Sequence, residues 1–419
     1  MVFGIHCSIR EYGREATSGA CDALESFCRK KPYRLGLWML CCLALALLTP
    51  AVSSPALAAQ SPPPPPGVVI DHISKQTMEY IGSPSIAILP NGDYVASHDL
   101  FGPKSSENTS GETEVFRSTD RGKTWTRVAV LHDQFWSNLF VLHHKLYLMG
   151  PSRQYGRVVI RQSLDGGSTW TPPSFLTSGS GYHTAPVPIV EKDGRVWRAM
   201  EFHPTGPWGH FKAFVLSAPE NSNLLDPKNW SMTEQLSYPQ DESEGNTWLE
   251  GNAVIAPDGS VLDILRVNDI EKAAILKVDG LRLEFEGLVD FPGGSKKFTI
   301  RYDKKTHEYW TLSNPALKEY PLSATKPADV RNTLALMSSK DLHHWKIDRI
   351  VISHPDPAMY GFQYADWQFD GPDIIAVVRT AFDDSTGGAH RFHDANFLTF
   401  NRIRNFRSSP KSAAQSGTK

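Results

Sequence analysis

Cysteine is confined to one end of this chain. All five cysteines precede residue 43: Cys7, Cys21, Cys28, Cys41 and Cys42. A mature protein without that segment would have no disulfide bond, no cysteine nucleophile and no thiolate metal site. Nothing in the remaining sequence calls for a cofactor, and we predict none.

The chain also lacks an excess of charge of either sign. Its 43 Lys and Arg residues are balanced by 45 Asp and Glu residues, which gives a formal net charge of −2. Such a chain has no electrostatic attraction to nucleic acid or to an anionic membrane surface. We therefore expect neither as a partner, and we expect the protein to be a monomer.

A hydrophobic run long enough for a membrane span is not evident, because the apolar stretch from Leu35 to Leu48 is too short. It follows a basic stretch, Arg29 to Arg34, and small residues around Ala56-Leu57-Ala58 come after it. This order is typical of a secretory signal with its cleavage site. We predict a leader over residues 1–59 and a secreted, periplasmic or cell-surface protein without a stable membrane span in its mature form. The alternatives are an uncleaved N-terminal anchor and a start codon further downstream.

What the sequence has in abundance is β-strand pattern, repeated six times after a proline-rich linker at 60–67. In each repeat an apolar strand reaches a tight turn and a second apolar strand follows. The turns, 48 to 65 residues apart, are Asn91-Gly92, His144-Lys145, Asp193-Gly194, Asp258-Gly259, Thr306-His307 and Asp370-Gly371. Four of them carry the Asn-Gly or Asp-Gly pair that favours β-hairpins.

Repeats of about fifty residues with four strands each are typical of propeller blades. We predict an all-β, six-bladed β-propeller with four antiparallel strands per blade over residues 68–405, followed by a disordered tail over 406–419. Residues 67–75 are expected to close the ring by adding the outer strand of the last blade. A seventh, degenerate blade is the alternative. The inner strands are expected to begin near Ser83, Asn138, His183, Gly251, Lys297 and Ala365.

Two outer turns share the pattern S-x-D-x-G-x-T-W, at Ser118–Trp125 and Ser163–Trp170, and a weaker copy stands at 338–345. The Ser and Asp side chains can bond the backbone of such a turn, and Gly permits the left-handed conformation. This pattern is the Asp box, and the chain resembles the sialidase superfamily of β-propeller glycoside hydrolases. The resemblance implies a structural role for these turns and none in catalysis.

The resemblance extends to the fourth, fifth and sixth blades. The stretch WLEGNAVIAPDGSVLDILRV has the family's order of Glu, strand, turn and Arg, which gives Glu250 and Arg266. Ser313-Asn314-Pro315 and a loop precede Arg331-Asn332, and Tyr364 stands just before the last inner strand. By resemblance, Tyr364 is the nucleophile, Glu250 is its base, and Arg266 and Arg331 bind the substrate carboxylate.

This chemistry suits a sialic acid, which carries a carboxylate on its anomeric carbon. A carboxylate nucleophile would be repelled there, so a neutral Tyr attacks and a nearby Glu takes its proton. The planar guanidinium group of Arg matches a carboxylate with two hydrogen bonds. The resemblance thus implies an acidic glycan as substrate and an exo-acting hydrolase.

The chain departs from the family at two places. Ser83-Pro84-Ser85 stands where the family has its first clamp arginine, and the general-acid Asp has no clear counterpart. Asp99, Glu112 and Glu114 are the candidates for that acid. His98 lies where we expect it to face the axis, which adds it to the candidate catalytic residues.

Further candidates come from the ends of other strands. Arg379 could replace the missing clamp arginine, and His183 and Glu201 are candidates for substrate contact. His390, His393 and Asp394 lie in a Gly-rich loop where metal ligation is conceivable, but a hydrogen-bonded turn is commoner, so we predict no metal.

Three functions remain open from the sequence. The first is the retaining hydrolase just described. The second is a propeller polysaccharide lyase acting on uronates, in which His98 or Tyr364 would exchange the proton next to the carboxylate. The third is a glycan-binding propeller without catalysis, because a fold does not determine function.

Overall fold

The computed structural model describes residues 62–204, 208–239, 241–242, 244–317 and 326–408, and these form a six-bladed β-propeller. The predicted leader lies outside the described residues. Every paired strand is antiparallel to its neighbour, and the only helices described are three single turns of 3-10 helix at Lys75–Thr77, Pro227–Asn229 and Pro327–Asp329. Within the described part of the chain, no helix is long and apolar enough to cross a bilayer.

The strands follow one another blade by blade. Strand β1 is Val68–His72, and blade 1 comprises β2 (Tyr80–Ile81), β3 (Ser85–Ile88), β4 (Tyr94–Phe101), β5 (Glu112–Ser118) and β6 (Thr126–His132). Blade 2 comprises β7 (Asn138–Leu142), β8 (Lys145–Pro151), β9 (Val158–Ser163) and β10 (Ser174–Phe175). Blade 3 comprises β11 (Tyr182–His183), β12 (Val190–Lys192), β13 (Arg195–Phe202), β14 (Lys212–Pro219), β15 (Ser231–Met232) and β16 (Leu236–Ser237).

The last three blades are more regular. Blade 4 comprises β17 (Trp248–Ile255), β18 (Val261–Val267), β19 (Lys272–Asp279) and β20 (Arg282–Asp290). Blade 5 comprises β21 (Thr299–Asp303), β22 (Glu308–Ser313), β23 (Thr333–Ser339) and β24 (Lys346–Ser353). Blade 6 comprises β25 (Gly361–Asp370), β26 (Asp373–Ala381) and β27 (Phe397–Ile403).

The ring is closed by the first and last strands of the propeller. Strand β1 pairs antiparallel with β27, with Val68 opposite Phe400 and His72 opposite Phe397, so blade 6 has the order β1-β27-β26-β25. This confirms the predicted closure. It also gives blade 6 its fourth strand, so that its sheet does not end at β27.

The hydrophobic core is divided among the interfaces between neighbouring blades. Six clusters of buried side chains are found, one for each interface of the ring. The largest side chains in them include Trp248 and Trp367, both fully buried. Because strand residues alternate between the two faces of a sheet, every blade contributes to the interfaces on both of its sides. Because both faces of each sheet are buried in these interfaces, the ends of the strands are the part of a blade that is available for a functional site.

Near the axis, side chains of one blade accept hydrogen bonds from the next inner strand. Asp366 accepts from the backbone N–H of Ile86 at 2.9 Å, and Ser85 accepts from that of Leu139 at 2.9 Å. Asn252 accepts from Ile300 at 3.0 Å in the same way. These bonds fix the inner strands relative to one another, because a buried N–H left without an acceptor would destabilise the fold.

The two S-x-D-x-G-x-T-W turns connect third and fourth strands at the outer edge of blades 1 and 2. In the first, the Ser118 hydroxyl accepts from the backbone N–H of Gly122 at 2.8 Å, and Asp120 accepts from the N–H of Thr124 at 2.9 Å. Ser163 and Asp165 make the same bonds in the second turn. These side chains are engaged by their own turn, remote from the axis.

Two residues that the sequence analysis placed in the tail pack against the propeller. Phe406 is buried, with its ring stacked on Phe369, and Arg407 pairs with Asp303 at 2.6 Å. Ordered structure therefore continues beyond residue 405, because an apolar ring and an ion pair hold the chain there.

Candidate functional site

A cavity of about 580 Å³ opens on the axis at one end of the propeller. All six blades supply side chains to it, among them Ser83, Trp136, His183, Glu250, Arg331 and Tyr364. Its volume is in the range of sites that bind small molecules. Of the residues predicted to form the site, Glu250, Arg266, Arg331, Tyr364, Arg379 and His183 line this cavity.

Backbone irregularities place the two central residues. Strand pairing is interrupted between Leu249 and Asn252 in β17 and between Gln363 and Asp366 in β25. Glu250 and Tyr364 lie in these β-bulges with φ of 59° and 55°, in the left-handed region that such residues seldom adopt. A bulge redirects a side chain out of the regular alternation, and strained backbone of this kind is concentrated at functional sites.

Tyr364, Glu250 and Arg266 form a hydrogen-bonded chain in the cavity. The Tyr364 hydroxyl donates to Glu250 Oε1 at 2.8 Å, and Arg266 Nη1 donates to Glu250 Oε2 at 2.8 Å. Burial alone would raise the pKa of Glu250, but Arg266, His183 and the bond from Tyr364 together lower it. Burial and the charge of Glu250 raise the pKa of Tyr364. At neutral pH the pair is thus a neutral phenol beside an ionised carboxylate.

Two further arginines flank the same tyrosine. The guanidinium carbons of Arg379 and Arg331 lie 4.9 and 5.8 Å from the centre of the Tyr364 ring. Burial lowers the pKa of Arg331, and it lowers that of Arg379 to about 10, so both remain charged at neutral pH. Among the described residues, neither forms an ion pair with a carboxylate. Buried positive charge without a partner favours an anionic ligand.

His183 reaches the cavity with the support of Glu201. His183 is 6% exposed, and its Nδ1 lies 3.0 Å from Oε2 of the fully buried Glu201. The other Glu201 oxygen accepts the backbone N–H of Gly251 at 2.8 Å, beside Glu250. Glu201 itself is not among the described residues that line the cavity, so we correct its predicted substrate contact: it holds His183 and the bulge of β17.

Aromatic residues that the sequence analysis did not select form the opposite wall. Trp136, Tyr155 and Trp208 line the cavity, and Trp136 packs edge-on against His183 with ring centres 4.7 Å apart. Trp136 has φ of 43° and precedes the inner strand of blade 2 by two residues, as Glu250 and Tyr364 precede Asn252 and Asp366. This shared position two residues ahead is the sequence signal that could have identified Trp136.

His98 does not occupy the position expected for it. It is fully buried outside the cavity-lining set, with Nε2 3.0 Å from Asp71 Oδ2 on β1 and 3.8 Å from Glu114 Oε2 on β5. Neighbouring residues of a strand face opposite sides, so His98 and Asp99 cannot share a face of β4. We therefore remove His98 from the candidate catalytic residues.

The cluster around His98 also explains Glu114. Arg127 donates to Glu114 Oε1 at 2.5 Å, and the pKa of His98 is raised because Asp71 and Glu114 together outweigh the lowering effect of burial. Among the described residues, Asp71, His98 and Glu114 are the one group of three or more possible metal ligands whose ligand atoms lie close together. Both carboxylates are already in contact with a side chain: Asp71 with the His98 ring, and Glu114 with that ring and with the Arg127 guanidinium group.

Asp99 lies directly beneath the cavity instead of lining it. Its Oδ1 accepts the backbone N–H groups of Ser83 at 3.2 Å and Trp136 at 3.1 Å, and both of those residues line the cavity. Oδ2 is buried without a hydrogen-bond partner, and burial raises the pKa of this carboxyl group to about 7. Asp99 thus supports two cavity-lining residues and is not itself among the described residues that line the cavity.

Asp99→Asn should change how stability depends on pH. Because the folded-state pKa is raised from 3.8 to about 7, the native protein holds a proton that the unfolded chain has lost, and the free energy of unfolding falls as pH rises from about 4 to 7. Asn removes this ionisation, so its stability relative to wild type should increase over that interval by up to about 4 kcal/mol.

Urea unfolding at pH 4 and pH 8 measures this difference. The control is Asp193→Asn, which alters an exposed turn residue with φ of 53° that Asn accepts readily. If Asp99→Asn and wild type keep the same difference in stability at both pH values, the assigned ionisation is wrong.

Among the described residues, the metal candidates His390, His393 and Asp394 do not form a close set of ligand atoms. His393 lines the cavity, but burial, followed by the charge of Arg379, lowers its pKa to about 3, and its Nδ1 faces Asp394 at 2.9 Å. His390 bonds the backbone carbonyl of Lys75 instead. Glu112 lies 3.4 Å from His132 and lines a smaller pocket that shares Phe101 and Gln154 with the cavity.

No protein family and no curated protein matches the sequence. Solved structures do resemble the fold. They include an α-L-arabinanase from Penicillium chrysogenum complexed with arabinobiose (14% identity over 82% of this chain and 99% of that chain, TM-score 0.52) and a leech intramolecular trans-sialidase complexed with 2,7-anhydro-Neu5Ac (10%, 82% and 71%, TM-score 0.54). The NanB sialidase from Streptococcus pneumoniae is similar too (10%, 81% and 70%, TM-score 0.52). At these identities the likeness concerns the fold alone.

Proposed function

We propose that this protein is a retaining exo-glycoside hydrolase that removes a terminal acidic, sialic acid-like sugar from glycans. The observation that carries the proposal is the 2.8 Å hydrogen bond from the Tyr364 hydroxyl to Glu250, with Arg331 and Arg379 beside the same ring. The solved structures of this fold include sialidases, which supports the reaction class by analogy.

In the proposed reaction the sugar carboxylate lies against the arginines, and Tyr364 attacks the anomeric carbon. As the bond from Oη to that carbon forms, the phenol proton passes to Glu250 Oε1 and the glycosidic oxygen leaves. Arg266 holds the other oxygen of Glu250 and so orients the base. Water then cleaves the tyrosyl intermediate, and the tyrosine recovers its proton from Glu250.

Arg379 supplies the positive charge that the sequence Ser83-Pro84-Ser85 lacks. Its guanidinium group lies 4.1 Å from the ring centre of Phe101 and donates to the carbonyl of His393. Arg379 Nε is buried without a hydrogen-bond partner, and so is Arg266 Nε. An anionic group bound in the cavity would face three guanidinium groups, two of them without a carboxylate of their own among the described residues.

The function is tested by incubating the purified protein with sialosides, uronate-containing glycans and neutral glycosides. We expect release of a terminal acidic sugar from the first group, without new ultraviolet absorbance. A β-eliminating lyase would instead create an unsaturated, absorbing uronate, and binding without release would indicate a glycan-binding propeller. Of the two residues that could exchange the proton in a lyase, His98 lies outside the cavity-lining residues and Tyr364 is bonded to Glu250, so the ultraviolet measurement decides between the two reactions.

A further inference from the structure

A hydrolase of the proposed kind needs a proton donor for the leaving group, and the carboxyl groups expected to provide it do not reach the cavity. Asp99 lies under its floor, Glu114 faces His98, and Glu112 faces His132. Three described carboxylates do line the cavity, Glu250, Asp269 and Asp329. Glu250 is engaged by Tyr364 and Arg266, and Asp269 pairs with Lys326 at 2.8 Å. Asp329 is exposed at the end of the 3-10 turn Pro327–Asp329 and lacks the buried support that Glu201 gives to His183.

We infer that His183 is the general acid and base of this site. The inference rests on the proposed hydrolase function. His183 lies in blade 3, next to the blade that carries Glu250, and its ring packs against Trp136 and Phe211 with centres 4.7 and 4.8 Å away. These contacts fix the imidazole plane, so its orientation is set before a substrate binds.

The pairing with Glu201 decides which nitrogen faces the substrate. Nδ1 is held 3.0 Å from Glu201 Oε2, and the two nitrogens of an imidazole point in different directions. Nε2 is therefore the nitrogen available to a sugar oxygen. Glu201 is fully buried, and its contact with Nδ1 fixes the ring orientation, as a carboxylate does in the acid–base histidines of hydrolases. Glu201 is thus a positioning residue.

The proton balance of the two steps is complete with these groups. In the first step the glycosidic bond breaks, the Tyr364 proton moves to Glu250, and His183 Nε2 gives its proton to the leaving oxygen. In the second step water attacks the anomeric carbon and gives a proton to Nε2. Tyr364 leaves as a phenol because Glu250 returns its proton. The enzyme ends in its starting state.

The test compares two substrates with the same acidic sugar, one with a natural sugar aglycone and one with a nitrophenyl aglycone. His183→Asn should lower kcat/KM for the natural linkage by about 10²-fold or more. It should lower the value for the nitrophenyl glycoside much less, because nitrophenolate leaves without a proton. The basic limb of the pH profile should disappear, and azide, which needs no base, should restore turnover of the aryl substrate.

Two further variants make the result specific. Glu201→Gln keeps the shape of the contact but removes its charge, so it should lower kcat/KM for the natural linkage more than for the nitrophenyl glycoside. His144→Asn is the matched control, because His144 lies in the exposed β7–β8 turn with φ of 64°, which Asn accepts; it should leave both substrates unaffected.

Each outcome separates the two claims. If His183→Asn lowers kcat/KM for both substrates equally, or retains the basic limb, His183 is not the proton donor although the hydrolase stands. If wild type releases no acidic sugar from either substrate, the proposed function fails and the inference fails with it.

Discussion

Tyr364→Phe should abolish turnover while leaving sugar binding nearly unchanged. The substitution removes only the hydroxyl group that would attack the anomeric carbon, and Glu250 keeps its bond to Arg266 at 2.8 Å. Without the nucleophile we expect kcat to fall by roughly 10³-fold or more. The arginines that would hold the substrate carboxylate are unaltered, so the dissociation constant of an acidic sugar should change less than about 3-fold.

Steady-state kinetics and calorimetric titration with the released sugar measure the two quantities. Tyr302→Phe is the control, because Tyr302 is 42% exposed at the far end of β21 and bonds His307 instead of a cavity residue. A Tyr364→Phe variant that keeps more than a tenth of wild-type kcat would exclude the tyrosine nucleophile. Equal loss of binding and turnover would point to a collapsed cavity.

Arg331→Ala should weaken binding of acidic sugars strongly and of neutral sugars little. Arg331 is buried beside Tyr364, with 6% of its surface exposed, and its Nη1 and Nε donate to Gln363 at 2.6 Å and to the carbonyl of Ala328 at 2.9 Å. These neutral partners orient the guanidinium group without neutralising it. Loss of a buried charge pair with the substrate should cost about 2–5 kcal/mol of binding free energy.

The comparison between acidic and neutral ligands carries this test. Arg331→Lys retains the charge but not the planar fork, so its binding should fall between those of wild type and Arg331→Ala. Arg331 is buried without a carboxylate ion-pair partner among the described residues, and the like charge of Arg266 acts on it together with the opposite charge of Glu250. Removal of Arg331 should therefore spare the melting temperature more than the loss of two buried hydrogen bonds would suggest, an exchange of function for stability. Equal weakening of neutral and acidic ligands would contradict the assignment.

The fold could be predicted from the sequence because each repeating unit is defined by residues that are close together in the chain. Each blade contains a hairpin turn such as Asn91-Gly92 or Asp258-Gly259, and the conformation of such a turn depends on its own residues alone. The count of six blades and the closing role of β1 follow from the turns and from the unpaired strand before them. The convergence of Glu250, Arg266, Arg331 and Tyr364 on one cavity could likewise be expected from their order in the chain.

What the sequence could not supply was the face of a strand to which each side chain belongs. His98 and Asp99 are neighbours in β4, yet one contacts β1 and the other supports the cavity floor. Bulges in β17 and β25 shift this alternation at the very residues of interest, and no composition rule marks them. Trp208 escaped notice for another reason: it comes from the connection between β13 and β14, whose path depends on tertiary contacts.

Because β1 pairs with β27, the two termini of the propeller lie in the same blade, and they could be moved to another blade without changing how the blades pack. The place where the first and last strands of a ring pair is called its seam here. Its position is set by the connections between strands and not by side-chain packing. A linker from residue 408 to residue 68, with a new opening at the exposed Gly280 turn between β19 and β20, would move the seam into blade 4. Such a circular permutant would preserve the contacts of all six blade interfaces and deliver the cavity residues in a different sequence order.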